Sequence, residues 1–105
     1  MTLTNLNDFI KGWVVGSFEP TLFNNNDVEI AIKRYKKDDY EESHHHKIAT
    51  EYTIIVEGEV LMNNKKYASN DIITILPNES TDFKCLTDVI TVVIKTPSVY
   101  GDKYK

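Results

Sequence analysis

Short runs of β-branched and alternating apolar residues, each ended by a turn signal, dominate this sequence. In residues 28–35 the side chains of Val28, Ile30 and Ile32 share one face, which is the period of two of a strand. Further runs occupy residues 51–56, 59–67, 71–76, 81–86 and 89–95. Asn63 and Asn64 provide a hairpin turn inside the third run, because asparagine tolerates positive φ. Regularly spaced short strands predict an all-β sandwich or barrel.

Length and composition predict one globular domain. A chain of 105 residues is the length of a single domain, here residues 1–105. Hydrophobic residues make up 41% and charged residues 27%, a balance that favours a packed core over disorder. No window of helical periodicity rivals the strand pattern. We therefore expect one all-β unit without a domain boundary.

Charge and cysteine content exclude several classes of protein. The formal net charge is −4 and Arg34 is the only arginine, which argues against a nucleic-acid-binding surface. No charged segment followed by an apolar run begins the chain, and no stretch is long enough to cross a bilayer. Cys85 is the only cysteine, so no intrachain disulfide can form. These features predict a cytoplasmic protein without membrane or nucleic-acid partners.

All three histidines of the chain are consecutive, at positions 44 to 46. On a strand, His44 and His46 share one face and His45 points to the other. Glu51 follows after the short stretch KIAT, and a bend there returns its carboxylate to the same side. Two imidazoles and one carboxylate can bind a divalent ion and leave positions open for water or a ligand. A solvated polar turn with three histidines by chance is the alternative.

The segment around the histidines resembles the first motif of the cupin superfamily, G-x5-H-x-H-x3,4-E-x6-G. It runs from Asp38 through His44, His46 and Glu51 to Gly58, and every spacing is kept. Only the first glycine is replaced, by Asp38. The resemblance covers residues 28–95, and it is closest to small stand-alone cupins of bacteria and their viruses.

The second cupin motif, G-x5-7-P-x-G-x2-H-x3-N, is degenerate in this chain. Pro77 matches the motif proline. Asn70 and Glu79 stand at the two glycine positions, and Leu86 at the terminal asparagine. Asp82 occupies the position of the last histidine ligand. The first motif is therefore strong, and the second departs from the family most at a ligand position.

The resemblance implies a double-stranded β-helix, a barrel of two antiparallel sheets with a ligand at its centre. The implied metal ligands are His44, His46, Glu51 and Asp82. A site with two carboxylates favours Mn(II) or Fe(II), with Zn(II) or Ni(II) as further candidates. Asp82 is also a common type of turn residue, and in that case three protein ligands remain. A third alternative is a metal-free site in which the histidines do acid–base chemistry.

Strand parity suggests further residues of the cavity wall. Tyr40 and Glu42 share parity with His44, and Lys84 shares parity with Asp82, so all three can line the cavity if the strands are regular. Lys84 would then be a candidate for binding an anion. A β-bulge or a side chain directed to solvent is the alternative for each.

The expected function is that of a small metal-binding cupin whose ligand is a small oxygen-rich molecule, a carboxylate or a sugar. If it is an enzyme, the chemistry is of the oxygenase, isomerase or lyase type. One alternative is a metal-free sugar-nucleotide isomerase or epimerase, and another is a binding module without chemistry. The residues at 51–56 are apolar on both faces, so Tyr52, Ile54 and Val56 need a cover. We expect a homodimer that buries them.

Overall fold

A computed structural model describes all residues, 1–105, and shows nine strands and one short 3-10 turn. The turn spans Leu6–Asp8 and is capped by the side chain of Asn5. The strands are β1 (Trp13–Val15), β2 (Glu29–Tyr35), β3 (Tyr40–His44), β4 (Thr50–Glu57), β5 (Glu59–Met62), β6 (Lys65–Ala68), β7 (Ile72–Ile75), β8 (Thr81–Cys85) and β9 (Val89–Thr96). No helix of the structure has the length and apolarity needed to cross a bilayer.

The strands form two antiparallel sheets. One has five strands in the order β1-β2-β9-β4-β7, and the other has four in the order β3-β8-β5-β6. Strands that are distant in the chain lie side by side, as β2 and β9 do. This is the double-stranded β-helix that the cupin resemblance implies, and the all-β prediction from the strand pattern is confirmed.

Asparagine residues make the sharp turns between strands. Asn63 and Asn64 both have positive φ, 50° and 64°, and connect β5 to β6 as predicted. Asn70 and Asn78 also have positive φ and flank β7. Asparagine adopts this left-handed conformation more readily than most residues, so the turns are encoded locally.

The inner face of the five-stranded sheet consists of rows of residues paired across the strands, and the first row is the most polar. The first row contains Glu51, Lys95 and Glu29, which are paired across β4, β9 and β2. The second row contains Thr53, Val93 and Ala31, and the third contains Ile55, Thr91 and Lys33. Each row is two residues, or about 7 Å, further along the strands. Polar residues thus mark one end of the interior.

The other end of the interior is a closed apolar core between the two sheets. Its buried members are Ile55, Val60, Met62, Ile75, Phe83, Cys85 and Val89. Burial raises the pKa of the Cys85 thiol to about 12, so this cysteine is a packing residue and not a nucleophile. The core closes the barrel below the polar rows, which leaves the first rows facing an open cavity.

A β-bulge changes the parity of β3. Glu41 pairs with Phe83 and His44 pairs with Thr81, so three residues of β3 match two of β8. The extra residue brings Glu41 and His44 to the same face although they are three positions apart. Strand regularity, which the sequence argument assumed, therefore fails just before the histidines.

Candidate metal and ligand cavity

A cavity of about 540 Å³ occupies the polar end of the barrel. Both sheets and the C-terminal residues 98–103 contribute to its wall. His44, His46, Glu51 and Asp82, the four ligands that the cupin resemblance implies, all border it, and His45 does not. The two histidines and Glu51 thus border the same space.

His46 and Glu51 form the central contact of the cavity. His46 is 5% exposed, and its Nε2 lies 3.3 Å from Glu51 Oε1. This is an ion-pair contact without hydrogen-bond geometry, so Nε2 has no hydrogen-bond partner. The other oxygen of Glu51, Oε2, accepts a hydrogen bond of 2.8 Å from Thr53 Oγ1. Glu51 is therefore held in place while Oε1 remains available.

The charges of this pair stabilise each other. The carboxylate of Glu51 raises the pKa of His46, although burial opposes the effect. Burial would raise the pKa of Glu51, but the hydrogen-bonding groups of His46 and Thr53 outweigh it and hold that pKa below its usual range. An anionic carboxylate beside an imidazole is an arrangement suited to a cation or to proton transfer.

The C-terminal segment, residues 100–105, fixes the orientation of His46. The backbone carbonyl of Asp102 is hydrogen-bonded to His46 Nδ1. A carbonyl can only accept, so Nδ1 carries the proton, and in the neutral ring Nε2 directs a lone pair into the cavity. That is the tautomer that a ligand of a metal ion requires.

Asp102 is itself anchored by the loop between β3 and β4. Its carboxylate accepts hydrogen bonds from the backbone N–H groups of Lys47 (2.9 Å), Ile48 (3.1 Å) and Ala49 (2.9 Å). Burial of Asp102 acts against ionisation, but these three donors prevail and lower its pKa. One acidic residue thus connects the KIAT bend, the C-terminal segment and His46.

His45 helps to attach the C-terminal segment from outside the cavity. Its backbone forms two hydrogen bonds with Tyr104, of 2.8 and 2.9 Å. The two rings stack with centroids 5.6 Å apart, and Lys47 Nζ lies 4.1 Å from the centre of the Tyr104 ring. His45 is therefore a structural residue of the C-terminal attachment.

His44 lies next to His46 but forms no hydrogen bond or ion pair with His46 or Glu51. The two imidazole rings are 5.5 Å apart, nearly perpendicular, and His44 Nδ1 contacts the carbonyl oxygen of Glu42 at 3.2 Å. No three histidine, cysteine, aspartate or glutamate side chains lie close enough together in this structure to hold a metal ion. The donor types of His44, His46 and Glu51 nevertheless fit a divalent metal, since the buried Nε2 of His46 lacks any partner.

Asp82 has a structural partner. Its Oδ1 accepts a hydrogen bond of 2.7 Å from the backbone N–H of Asn63, in the β5–β6 turn. Asn63 also donates to the carbonyl of Ser80, which binds the hairpin tip to the start of β8. The carboxylate of Asp82 thus has the turn-stabilising role that the sequence left open beside metal ligation.

The structure corrects the other three predicted wall residues. Tyr40, Glu42 and Lys84 are exposed and do not border the cavity. Tyr40 pairs with Lys84 on the outer face, and Glu42 binds Lys105 at 2.6 Å. For Tyr40 and Glu42 the cause is the bulge in β3, which places Glu41 on the inner face, where its carboxylate accepts a hydrogen bond from Tyr35 Oη at 2.9 Å. Lys84 faces outward because its neighbours on β8, Phe83 and Cys85, face the core.

Sequence reasoning missed several residues of the cavity, chiefly Lys33, Lys95, Trp13, Thr91 and Asp102. The period of two in β2 and β9 held a signal for three of them. Lys33 follows Ala31 on the inner face, and Thr91 and Lys95 alternate with Val93. No local signal identifies Asp102, since its partners are more than 50 positions away.

Comparisons with known proteins support the fold. No family model and no curated protein sequence matches the chain. Among solved structures, a double-stranded β-helix protein from Klebsiella pneumoniae is similar over 94% of this chain and 87% of its own, with 15% identity and a TM-score of 0.74. An RmlC-like cupin from Shewanella frigidimarina is similar over 76% and 73%, with 21% identity and a TM-score of 0.67.

A larger enzyme shares the same architecture. The DMSP lyase DddQ from Ruegeria pomeroyi matches 87% of this chain and 48% of its own length, with 14% identity and a TM-score of 0.71. The chain thus spans about half of that protein. Likeness at these identities concerns the fold, and the chain has the cupin fold.

Proposed function

We propose that this chain is a small metal-binding cupin that holds one divalent ion with His44, His46 and Glu51. One observation carries the proposal: the buried Nε2 of His46 has no hydrogen-bond partner and lies 3.3 Å from an available oxygen of Glu51. Buried polar atoms in folded proteins are nearly always paired, so an unpaired one indicates a missing ligand. Mn(II) or Fe(II) suits this donor set best, and Zn(II) or Ni(II) remains compatible with it.

The ligand of the proposed site is a small oxygen-rich molecule. A bound ion would supply a Lewis acid for an oxygen of that ligand. The residues of the chain do the rest. Asp102 keeps His46 in the metal-binding tautomer, Thr53 orients Glu51, and the polar walls leave space for a carboxylate or a sugar. The cavity of about 540 Å³ is within the range of small-molecule sites.

The proposal predicts a specific order of metal affinities. In protein purified without a histidine tag, His44→Ala and His46→Ala should each weaken Mn(II) binding about 100-fold, because each removes a nitrogen ligand. His45→Ala is the matched control and should leave affinity within about threefold of wild type. Isothermal titration calorimetry of the metal-free proteins measures the Mn(II) affinity of wild type and of the three variants. Equal losses for the His44 and His45 variants would contradict the assignment.

Asp82 offers a further test of the ligand set. In our proposal its carboxylate supports the β5–β6 turn, so Asp82→Asn should keep metal affinity close to that of wild type, since the amide oxygen still accepts from Asn63. A large loss of affinity in Asp82→Asn, with an unchanged melting temperature, would instead place Asp82 among the ligands.

A metal-free acid–base site is the second candidate, and the His46–Glu51 pair is the observation that favours it. A carboxylate 3.3 Å from an imidazole can orient a general base. A sugar-nucleotide substrate is less compatible, because Arg34 is exposed and outside the cavity. A metal content near zero after reconstitution, with retained binding of a small sugar or acid, would support this candidate over the first.

We also propose that the chain forms a homodimer through the outer face of the five-stranded sheet. An unbroken apolar row crosses that face, formed by Ile32, Val92, Ile54 and Ile72 in register. Ile72 is 63% exposed, and Tyr52 and Val56 beside the row are 36% and 47% exposed. An apolar sheet face of this extent favours burial against a second copy.

Sedimentation velocity tests the dimer. Wild-type protein should sediment at twice 12.1 kDa at micromolar concentration. Ile72→Lys should shift it to the monomer, because the charge lies within the buried row. Tyr40→Lys changes an equally exposed residue of the other sheet and should leave the dimer intact. A wild-type monomer, or dissociation by both substitutions, would contradict the interface.

A further inference from the structure

Lys33 is a cation inside the cavity without a counter-ion. None of the four ion pairs of the chain includes it, and it makes no side-chain hydrogen bond. Burial lowers its pKa, although Glu41 and Glu51 act in the opposite direction. Its neighbour on the same wall, Lys95, is different, since it pairs with Glu29 at 3.6 Å.

Trp13 brings the two ammonium groups together. Lys33 Nζ lies 5.2 Å and Lys95 Nζ 5.1 Å from the centre of the same indole ring. Each contact is a favourable cation–π interaction. The two like charges repel each other, and Glu29 neutralises only one of them. Of these two ammonium groups, only that of Lys33 therefore lacks an ion pair.

No carboxylate of the cavity wall forms an ion pair with Lys33, although Glu41 and Glu51 favour its charged form from a longer distance. Each carboxylate is held by another contact. Glu29 pairs with Lys95, Glu41 accepts from Tyr35, Glu51 from Thr53, Glu79 from Leu76, Asp82 from Asn63 and Asp102 from the Lys47–Ala49 backbone. An anion from outside the protein would give the Lys33 ammonium a direct partner.

Thr91 is a second, independent indication of a ligand at the same place. It is 1% exposed, and its hydroxyl makes no hydrogen bond. Thr91 is the register partner of Lys33 across β2 and β9, on the same inner face, and both residues border the cavity. A buried hydroxyl without a partner costs free energy unless a ligand atom satisfies it.

We propose that Lys33 and Thr91 form an anion subsite that binds the carboxylate of a small organic acid. This deepens the proposed function, since it selects a carboxylate over a neutral sugar, but the subsite itself needs no metal. The cavity wall has more acidic than basic side chains, so a singly charged carboxylate fits better than a doubly charged phosphate. Lys33 donates to one oxygen, and the Thr91 hydroxyl donates to the other.

The position of the subsite also restricts the size of the acid. Lys33 and Thr91 are two rows below Glu51, about 13 Å along the strands, and the apolar core lies beyond them. The Lys33 ammonium extends back toward Trp13, which pairs with Ala31 of the second row. The apolar core below the subsite therefore limits the ligand to a small acid, which lies between that core and the His46–Glu51 pair.

The test uses lactate and its neutral amide, lactamide, with EDTA-treated full-length protein. Chemical shifts of Lys33 and Thr91 should move and saturate with lactate, and lactamide should produce no saturable change. Lys33→Met should weaken lactate binding about tenfold or more, as expected for loss of a charge-assisted hydrogen bond. Thr91→Val should weaken it about threefold to tenfold. Lys84→Met, on the outer face, is the control and should bind as wild type does.

Three results would overturn the proposal. They are equal binding of lactate and lactamide, unchanged lactate affinity in Lys33→Met, and lactate binding that requires a bound metal. Tighter binding of inorganic phosphate than of lactate would overturn the choice of a carboxylate. Because every arm uses metal-free protein, a failure of the metal site leaves these readouts intact, and a failure of the subsite leaves the metal titration intact. Melting curves of each variant confirm that it is folded.

Discussion

Two parts of the cavity differ in how their polar groups are paired with other groups of the protein. At His46 and Glu51, His46 Nδ1 and Glu51 Oε2 have hydrogen-bond partners, His46 Nε2 and Glu51 Oε1 face each other at 3.3 Å, and the C-terminal segment reinforces the arrangement through Asp102. At Lys33 and Thr91, the ammonium has no counter-ion and the hydroxyl has no hydrogen bond. The first part is built to keep a geometry before a ligand arrives. The second is stabilised only when a ligand is present.

This contrast predicts opposite effects of mutation on stability. Removing a residue from the first part breaks interactions that the fold uses. Removing a polar residue from the second part relieves an unfavourable burial, so stability should rise while binding falls. Such a trade between stability and function is common at ligand sites.

The largest loss of stability should come from Asp102→Ala. The substitution leaves three backbone N–H groups without their acceptor and releases the carbonyl that orients His46. We expect the free energy of unfolding to fall by about 3 kcal/mol, measured by urea denaturation. Asp27→Ala is the control, because the Asp27 side chain makes no hydrogen bond or ion pair, and it should change stability by less than about 0.5 kcal/mol. Similar losses of stability in the two variants would show that Asp102 does not anchor the C-terminal segment.

Lys95→Met should also destabilise, by about 2 kcal/mol, because it leaves the buried Glu29 without its ion pair. Glu29 keeps hydrogen bonds from Ser98 and Val99, which limits the loss. Chemical denaturation is the measurement. A double substitution with Glu29→Gln should recover part of the stability, since the unpaired charge is then gone. No recovery would contradict the pairing.

Lys33→Met should have the opposite sign and raise the free energy of unfolding of the metal-free protein by about 1 kcal/mol. The methionine retains the apolar stem and removes a half-buried charge that has no ion pair. The same substitution abolishes the stabilisation that lactate gives to wild type. A loss of stability comparable to that of Lys95→Met would mean that Lys33 is a structural cation, and the contrast between the two lysines would fail.

The smallest predicted effect is a change with pH in the stability difference between Lys33→Met and wild type. Burial holds the pKa of Lys33 below the ordinary lysine value of 10.5. Between the folded and unfolded pKa values the unfolded chain binds more protons, so the stability of wild type rises with pH in that interval. The advantage of Lys33→Met should therefore shrink as pH increases toward 10.5. An advantage that stays constant up to that pH would exclude charge burial as its cause.

The fold could be predicted because its signals are local. Alternation in residues 28–35 and 89–95 gives the strands, and Asn63 with Asn64 gives the hairpin. The positions of His44, His46 and Glu51 in one cavity followed from parity and one bend. Each of these depends on residues that are close together in the chain.

The remaining features of the site depend on contacts between different parts of the chain, which no local sequence pattern encodes. The bulge in β3 is fixed by its pairing with β8, so parity assigned Tyr40 and Glu42 to the wrong face. Lys84 lies on the outer face of β8, whereas the sequence argument placed it on the inner face. Asp102 reaches its partners across more than 50 residues, and the unpaired state of Lys33 is visible only when every neighbouring carboxylate is located.

The central claim is that His44, His46 and Glu51 hold one ion at the top of a cavity whose floor binds a carboxylate. Anomalous diffraction from a crystal of the Mn(II)-loaded protein grown with lactate tests it most directly. We predict a single anomalous peak between those three side chains, and lactate density with its carboxylate at Lys33 and Thr91. No anomalous peak in the cavity, or a peak bound by Asp82 and away from His46, would contradict the account.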